Sequence, residues 1–231
     1  LGATTTACFR GTTGQTLSVT AAGSTSAIAL DGVKGALANN VVTVAVAGAT
    51  LANVAVSGTI AKADAALGAA TVALNVTAGK DVQTMSINTG LTTTVTIDDT
   101  ASAATKKVTT VDASASTGAV TYVGDAEAAA ILSGAGADKI TLATATLVAS
   151  TGVTAISASA STGAGNDVVT VITTGSGTTT INAGAGDDTV NVTSRGTGAL
   201  SASLRDGADK FSSAVAVTAG DSIDAGAGWF G

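Results

Sequence analysis

The chain has 231 residues, 45% of them hydrophobic but only 2% aromatic, with no proline, 29 glycines and a formal net charge of −6. Lacking histidine, and with Cys8 as its single cysteine, it cannot assemble a Ser-His-Asp triad, a Cys-His pair, a zinc cluster or an internal disulfide. The negative charge argues against nucleic acid and anionic membrane surfaces as partners and favours cations.

Ala and Val dominate the apolar set, and such small and β-branched residues suit thin, regular sheets better than a core built around large rings. In chain order, Leu17–Thr20, Val41–Val46, Thr71–Thr77, Thr84–Asn88 and Thr92–Ile97 predict short strands separated by Gly- or Asn-containing turns. The uncharged run from Gly35 to Ala61 is long enough for a membrane helix. However, Asn39, Asn40, Gly48, Asn53 and Gly58 interrupt it, and Val41–Val46 and Val54–Val56 alternate with period two. It reads as two or three strands, without membrane insertion. Ala61–Leu67 and Asp125–Leu132 are Ala-rich and predict short helices. Cys8 reads as a buried small residue or a bystander, and the start at Leu1 without a signal peptide as a processed or partial chain. Residues 1–105 thus form a β-rich N-terminal region, either a β-sandwich or an irregular solenoid; the residues are compatible with both.

Residues 106–231 differ by carrying four Gly/Asp turns. They are Gly134-Ala135-Gly136-Ala137-Asp138, Gly163-Ala164-Gly165-Asn166-Asp167, Gly184-Ala185-Gly186-Asp187-Asp188 and the shortened Asp206-Gly207-Ala208-Asp209. Each precedes an apolar position or run: Ile140 and Leu142, Val169 and Val171, Val190 and Val192, then Phe211. Asp167, Asp188 and Asp209 lie 21 residues apart, a period that marks stacked coils. Two strands of about five to six residues plus two turns fill such a coil, and one longer coil of 29 residues separates Asp138 from Asp167. The segment Val111–Ala119 recurs as Ile156–Ala164 with eight of nine positions identical or Val/Ile.

The 21-residue step predicts inward columns Val169/Val190/Phe211, Val171/Val192/Ser213 and Ile181/Ala202/Ile223, with Thr170, Asn191 and Ser212 turned to water. The pattern fits a right-handed parallel β-solenoid with a Gly/Asp turn on one edge. Plain turns such as Gly175-Ser176-Gly177 and Arg195-Gly196-Thr197-Gly198 form the other edge. Stacking would bring the aspartates into a like-charge ladder, destabilising by itself. Calcium needs about six to eight hard oxygens, which neighbouring turns can supply jointly as carboxylates and carbonyls, with glycine leaving the backbone free to turn inward. Asp98-Asp99, Asp221 and Asp224 lack the glycines and read as turn residues or solvated charge. Lys106-Lys107 reads as a solvated pair, the Asn75-Val76-Thr77 and Asn191-Val192-Thr193 sequons carry no weight, and Tyr122 and Trp229 are too isolated to stack a sugar.

The turns resemble the RTX nonapeptide, Gly-Gly-x-Gly-x-Asp-x-U-x with U a large apolar residue. Ser133–Thr141, Thr162–Thr170 and Ala183–Asn191 match it in all but the first glycine. The resemblance carries the family's ligands onto Gly134, Gly136, Asp138, Gly163, Gly165, Asp167, Gly184, Gly186 and Asp188, and in the fourth copy onto Gly207 and Asp209 alone, because Arg205 replaces a glycine. A fifth copy starts at Gly226-Ala227-Gly228 but has Phe230 in place of Asp. Because the copies stand a whole coil apart, ions are expected along one edge only. Together with the Thr/Ala/Val/Gly richness, the segment Val111–Gly118 resembles RTX-type bacterial surface-layer proteins. That likeness implies a secreted, cell-surface structural protein and not an enzyme, exported by type I secretion and folded by external calcium. Its implied partners are further copies of itself in a lattice or filament, and cell-surface polysaccharide. A domain of a large RTX adhesin binding a surface or glycan is the alternative; it calls for an exposed aromatic or charged patch. The C-terminal roll of a secreted protease or lipase would need a histidine-bearing catalytic domain elsewhere.

Overall fold

Every second strand belongs to the same sheet. The computed structural model describes residues 4–12, 14, 16–48, 53–68, 70–78, 84–88, 95–98, 110–123, 130–143, 157–173 and 175–227. The odd-numbered strands are β1 (Thr4–Arg10), β3 (Thr25–Lys34), β5 (Asn53–Ala61), β7 (Thr84–Asn88), β9 (Thr110–Asp112), β11 (Ala130–Leu132), β13 (Ala158–Ser161), β15 (Thr179–Asn182), β17 (Leu200–Ser203) and β19 (Ser222–Asp224). The even-numbered strands are β2 (Leu17–Thr20), β4 (Val41–Gly48), β6 (Thr71–Ala78), β8 (Val95–Asp98), β10 (Val120–Val123), β12 (Lys139–Ala143), β14 (Val168–Ile172), β16 (Thr189–Ser194) and β18 (Lys210–Ser213). The ten odd strands form one sheet and the nine even strands a second, each in sequence order. All the strand pairings are parallel. The fold is therefore all-β and parallel, with no helix among the described residues.

The chain thus passes from one sheet to the other and back in each circuit. Both sheets run on through the change of composition near residues 105–106: β7 pairs with β9 and β8 with β10. Two buried faces meet between the sheets, as the period-two burial of the strands shows; in β4, Val42, Val44 and Val46 are buried and their neighbours are not. Each Val, Leu or Ile so buried contributes about 1.5–3 kcal/mol.

The inward columns have the expected register and extend further. Ile140, Val169, Val190 and Phe211 stand in one row, and Leu142, Val171, Val192 and Ser213 in the next. In the other sheet Val111, Ile131, Ala160, Ile181, Ala202 and Ile223 align. Outward from that sheet runs a row containing Thr25, Asn53, Thr110, Ala130, Ser159, Thr180, Ser201 and Ser222, polar except at Ala130.

Several expectations are corrected. Ala61–Leu67 is not a helix: Ala61 ends β5, and the segment behind it is held by Asn40. The buried Asn40 carboxamide donates to the carbonyls of Asp64 (2.9 Å) and Gly68 (3.0 Å) and accepts from the amides of Ala63 and Asp64. A seven-residue Ala-rich segment cannot offset helix nucleation, whereas this bonding satisfies the backbone directly. Within Asp125–Leu132, Ala130–Leu132 is β11; Asp125–Ala129 lies outside the described residues. Cys8 is exposed on β1, which removes the buried reading and leaves the bystander one. Tyr122 is buried in the core, while Asp99, Lys106-Lys107, Trp229 and Phe230 lie outside the described residues. The nine-residue echo is not a structural repeat, since the register sets Val111 level with Ile131 and Ala160. The echo matches Ala115, not Val111, to Ala160.

Candidate metal centre

On the edge where odd strands hand over to even ones, the Gly/Asp turns lie directly over one another. Single-residue parallel bridges link Ala135 to Ala164, Ala164 to Ala185, Ala185 to Asp206 and Asp206 to Ala227. The amides of Ala164, Ala185 and Asp206 donate to the carbonyls of Gly134, Gly163 and Gly184, while those of Gly136, Gly165 and Gly186 donate to Ala164, Ala185 and Asp206. The approach is close enough to require glycine. A Cβ on Gly165 (φ 129°) would lie 1.9 Å from the Gly136 carbonyl oxygen, and one on Gly184 (φ 104°) 1.9 Å from that of Gly163. Arg205 occupies this glycine row with φ 71° and turns its Nε to Asn182 Oδ1 on the outer face.

Asp138, Asp167, Asp188 and Asp209 form one buried column, 1–5% exposed. Each Oδ1 accepts the backbone N–H of the equivalent residue one circuit earlier: Val120 to Asp138 (2.7 Å), Asp138 to Asp167 (2.8 Å), Asp167 to Asp188 (2.9 Å) and Asp188 to Asp209 (2.9 Å). The circuit between Asp138 and Asp167 is 29 residues and the next two are 21, yet the column stays in step. Each Oδ2 is buried and has no hydrogen-bond partner.

A buried carboxylate with one bare oxygen is poorly solvated, and its proton affinity rises. Burial pushes Asp138 up to about 6, against the Ser133 hydroxyl and the Val120 amide, with Asp167 adding like-charge repulsion. Asp188 is likewise pushed up to about 6 by burial, with Asp167, Asp209 and Asp187 as repelling neighbours. Asp167 is raised for the same first reason.

The predicted residues are therefore brought together as four carboxylates flanked by Gly134, Gly136, Gly163, Gly165, Gly184, Gly186 and Gly207. The donor chemistry fits a hard cation, with bare carboxylate oxygens in a buried row. Among the described residues no donor reaches the carbonyls of Gly136, Gly165 and Gly186, though each of these three oxygens faces the next glycine of the row. Among these residues too, no three acidic or thiol side chains converge on one point. A calcium ion at the column would take its remaining oxygens from backbone and water.

Two features escaped the sequence reading. Outside the buried column runs a second, oppositely directed ladder: Asn166 Oδ1 accepts from Asp187 N and Asp187 Oδ1 from Ala208 N, both at 2.9 Å. On the plain-turn edge, Arg195 grips Asp221 with two bonds of 2.7 Å, the two side chains being 9% and 0% exposed. Asp221 is no solvated charge. The Thr218 amide first, then the Leu200 amide and Arg195, lower its pKa to about 2. No acidic spacing signals that pair, because Arg195 and Asp221 sit in different circuits.

Compared with known proteins, the chain matches no family model, no curated protein and no solved structure.

Proposed function

We propose that this chain is a structural protein of RTX type, a right-handed parallel β-solenoid whose C-terminal half is stabilised by calcium along one edge. It would serve in an extracellular surface layer or filament built from copies of itself. The observation that carries this reading is the column of four buried aspartates, each with a bare Oδ2. Such a row is unfavourable when ionised and empty, and a divalent cation relieves both the missing partner and the repulsion.

Calcium is the cation of choice because the donors are all oxygens and neither histidine nor a second cysteine is present. Binding to the folded form alone couples folding to the ion. Affinities of about 10⁻⁴–10⁻³ M, usual for extracellular modules, would leave the chain unloaded in a low-calcium cytosol and load it outside the cell. The mainly polar outward row, spaced about 4.8 Å per strand, offers a surface on which copies can pack. Catalysis has no part in this reading.

The test is thermal unfolding and negative-stain microscopy of the chain with millimolar calcium and with a calcium chelator. A melting temperature raised by calcium and assemblies lost on chelation are expected. A melting temperature indifferent to the chelator would overturn the reading.

A further inference from the structure

The four aspartates do not share one environment. The coil-to-coil bonds from Ser133 N to Ser161, Thr162 N to Asn182, Ala183 N to Ser203 and Leu204 N to Asp224 place Ser133, Thr162, Ala183 and Leu204 in one buried row. In the turns that follow, that row supplies the neighbours of the carboxylates. Ser133 and Thr162 bring hydroxyls near enough to Asp138 and Asp167 to work against the upward push of burial on their pKa values. At the equivalent positions before Asp188 and Asp209 stand Ala183 and Leu204, which have nothing to donate.

Each hydroxyl has one proton and two acceptors to choose from. Ser133 Oγ donates to the Thr162 carbonyl at 3.3 Å and Thr162 Oγ1 to the Ala183 carbonyl at 2.6 Å. While those bonds hold, Oδ2 of Asp138 and Asp167 stays bare. A turn about the side-chain torsion re-aims the proton at the carboxylate, and a hydrogen bond to an ionised acceptor is about twice as strong as a neutral one. Asp188 and Asp209 have no such recourse. Their Oδ2 atoms must find a cation, a proton or nothing.

We infer that Ser133 and Thr162 are the residues that set the calcium demand of the column. Their hydroxyls can turn from the carbonyls to Asp138 and Asp167 when no ion is present, and so concentrate the requirement for calcium at Asp188 and Asp209. This rests on the calcium reading above and deepens it: the column is graded, and the residue five positions before each aspartate sets the grade.

The experiment compares melting temperatures of the whole chain, Ala183→Ser and Thr162→Ala, each in chelator and in millimolar calcium. Ala183→Ser puts a hydroxyl beside Asp188 in a position where Thr162 and Ser133 show that one is accommodated. It should raise the melting temperature in chelator by about 2–4 °C and shrink the rise produced by calcium by a similar amount. Thr162→Ala should do the reverse, lowering the chelator value and enlarging the calcium-induced rise; if it fails to fold, Ala183→Ser still decides. A calcium-induced rise that is present in the parent chain and unchanged in Ala183→Ser overturns this inference alone. No rise in the parent chain overturns the calcium reading and takes this inference with it.

Discussion

Transfer of the calcium-free chain from about pH 7.5 to pH 5 probes the aspartate column without touching a residue. Asp138 and Asp188 are raised by burial from 3.8 to about 6 in the folded chain. A raised folded pKa means that the folded state binds protons more tightly, so stability is gained as pH falls through 6 and is complete below 3.8. At 1.36 kcal/mol per pKa unit, arrival at pH 5 contributes about 1.4 kcal/mol per site at most. Solvent reaching the turn edge reduces that, leaving roughly 1–2.5 kcal/mol for the pair. For a chain of this size the melting temperature should rise by roughly 2–10 °C. Circular dichroism against temperature at half-unit pH steps, in chelator, reads it directly. Acid also lessens the chain's net charge of −6, so Asp138→Asn and Asp188→Asn serve as controls in which the rise should shrink. Below about pH 3.8 the trend should turn over. Asp221, lowered to about 2, contributes stability above 3.8 that is lost as pH falls toward 2. In saturating calcium the rise between pH 7.5 and 5 should vanish or reverse, because protons and cation compete for the same oxygens. A calcium-free melting temperature that is level or falling over that range would show that burial does not raise these carboxyls.

The remaining predictions concern packing and access. Gly186→Ala sets a Cβ 2.0 Å from the Gly165 carbonyl oxygen at φ 130°, and should cost at least about 3 kcal/mol in urea unfolding; an unchanged midpoint would contradict the close stacking of the turns. Asp221→Asn leaves the partly buried Arg195 without its counter-charge and should cost about 1.5–3 kcal/mol. Faster hydrogen exchange is expected at the Leu200 and Thr218 amides, which both donate to Asp221. Cys8, exposed on β1, should react with one equivalent of a maleimide in the folded chain, and a thiol protected until denaturant is added would show β1 to be covered.

The C-terminal half was readable because its circuits repeat a turn signal. Asp167, Asp188 and Asp209 fix the step, and from the step follow the columns through Val169, Val171 and Ile181. The N-terminal register was not readable, although several of its strands were; β1 and β3 carried no signal that was read. Thr25 pairs with Asn53 and Asn53 with Thr84 over unequal intervals, and no repeated turn residue marks either step. The Val111–Ala119 echo misled for a related reason. In a period-two pattern, a slip of one residue exposes the core face, but a slip of two or four leaves every side chain on its own side. Alternation thus fixes which face a residue takes and not its level in the stack. The Oδ1 bonds were hidden too, because a residue type says that an acceptor exists and not which orphaned amide it will meet.

Those bonds bear on why the column is acidic. At each handover from turn to strand the backbone N–H has no carbonyl opposite it, and the carboxyl of the next circuit supplies the acceptor. An asparagine could do this equally well without charge, as Asn166 does on the exposed ladder, where Asp187 follows it one circuit later. On that outer ladder solvent makes amide and carboxylate nearly equivalent. In the buried column they are far from equivalent, since a bare ionised oxygen costs more than a bare neutral one, and yet all four positions are Asp. Hydrogen bonding to the backbone therefore does not account for the charge. Asp188→Asn separates the two roles. It keeps the Oδ1 acceptor for the Asp167 amide and removes repulsion from Asp167, Asp209 and Asp187. In chelator at pH 7.5 it should match or exceed the parent chain to within about 1 kcal/mol, while losing much of the stabilisation that calcium brings. If instead it is crippled without calcium and still responds fully to the ion, the carboxylate at 188 is a structural acceptor and nothing more.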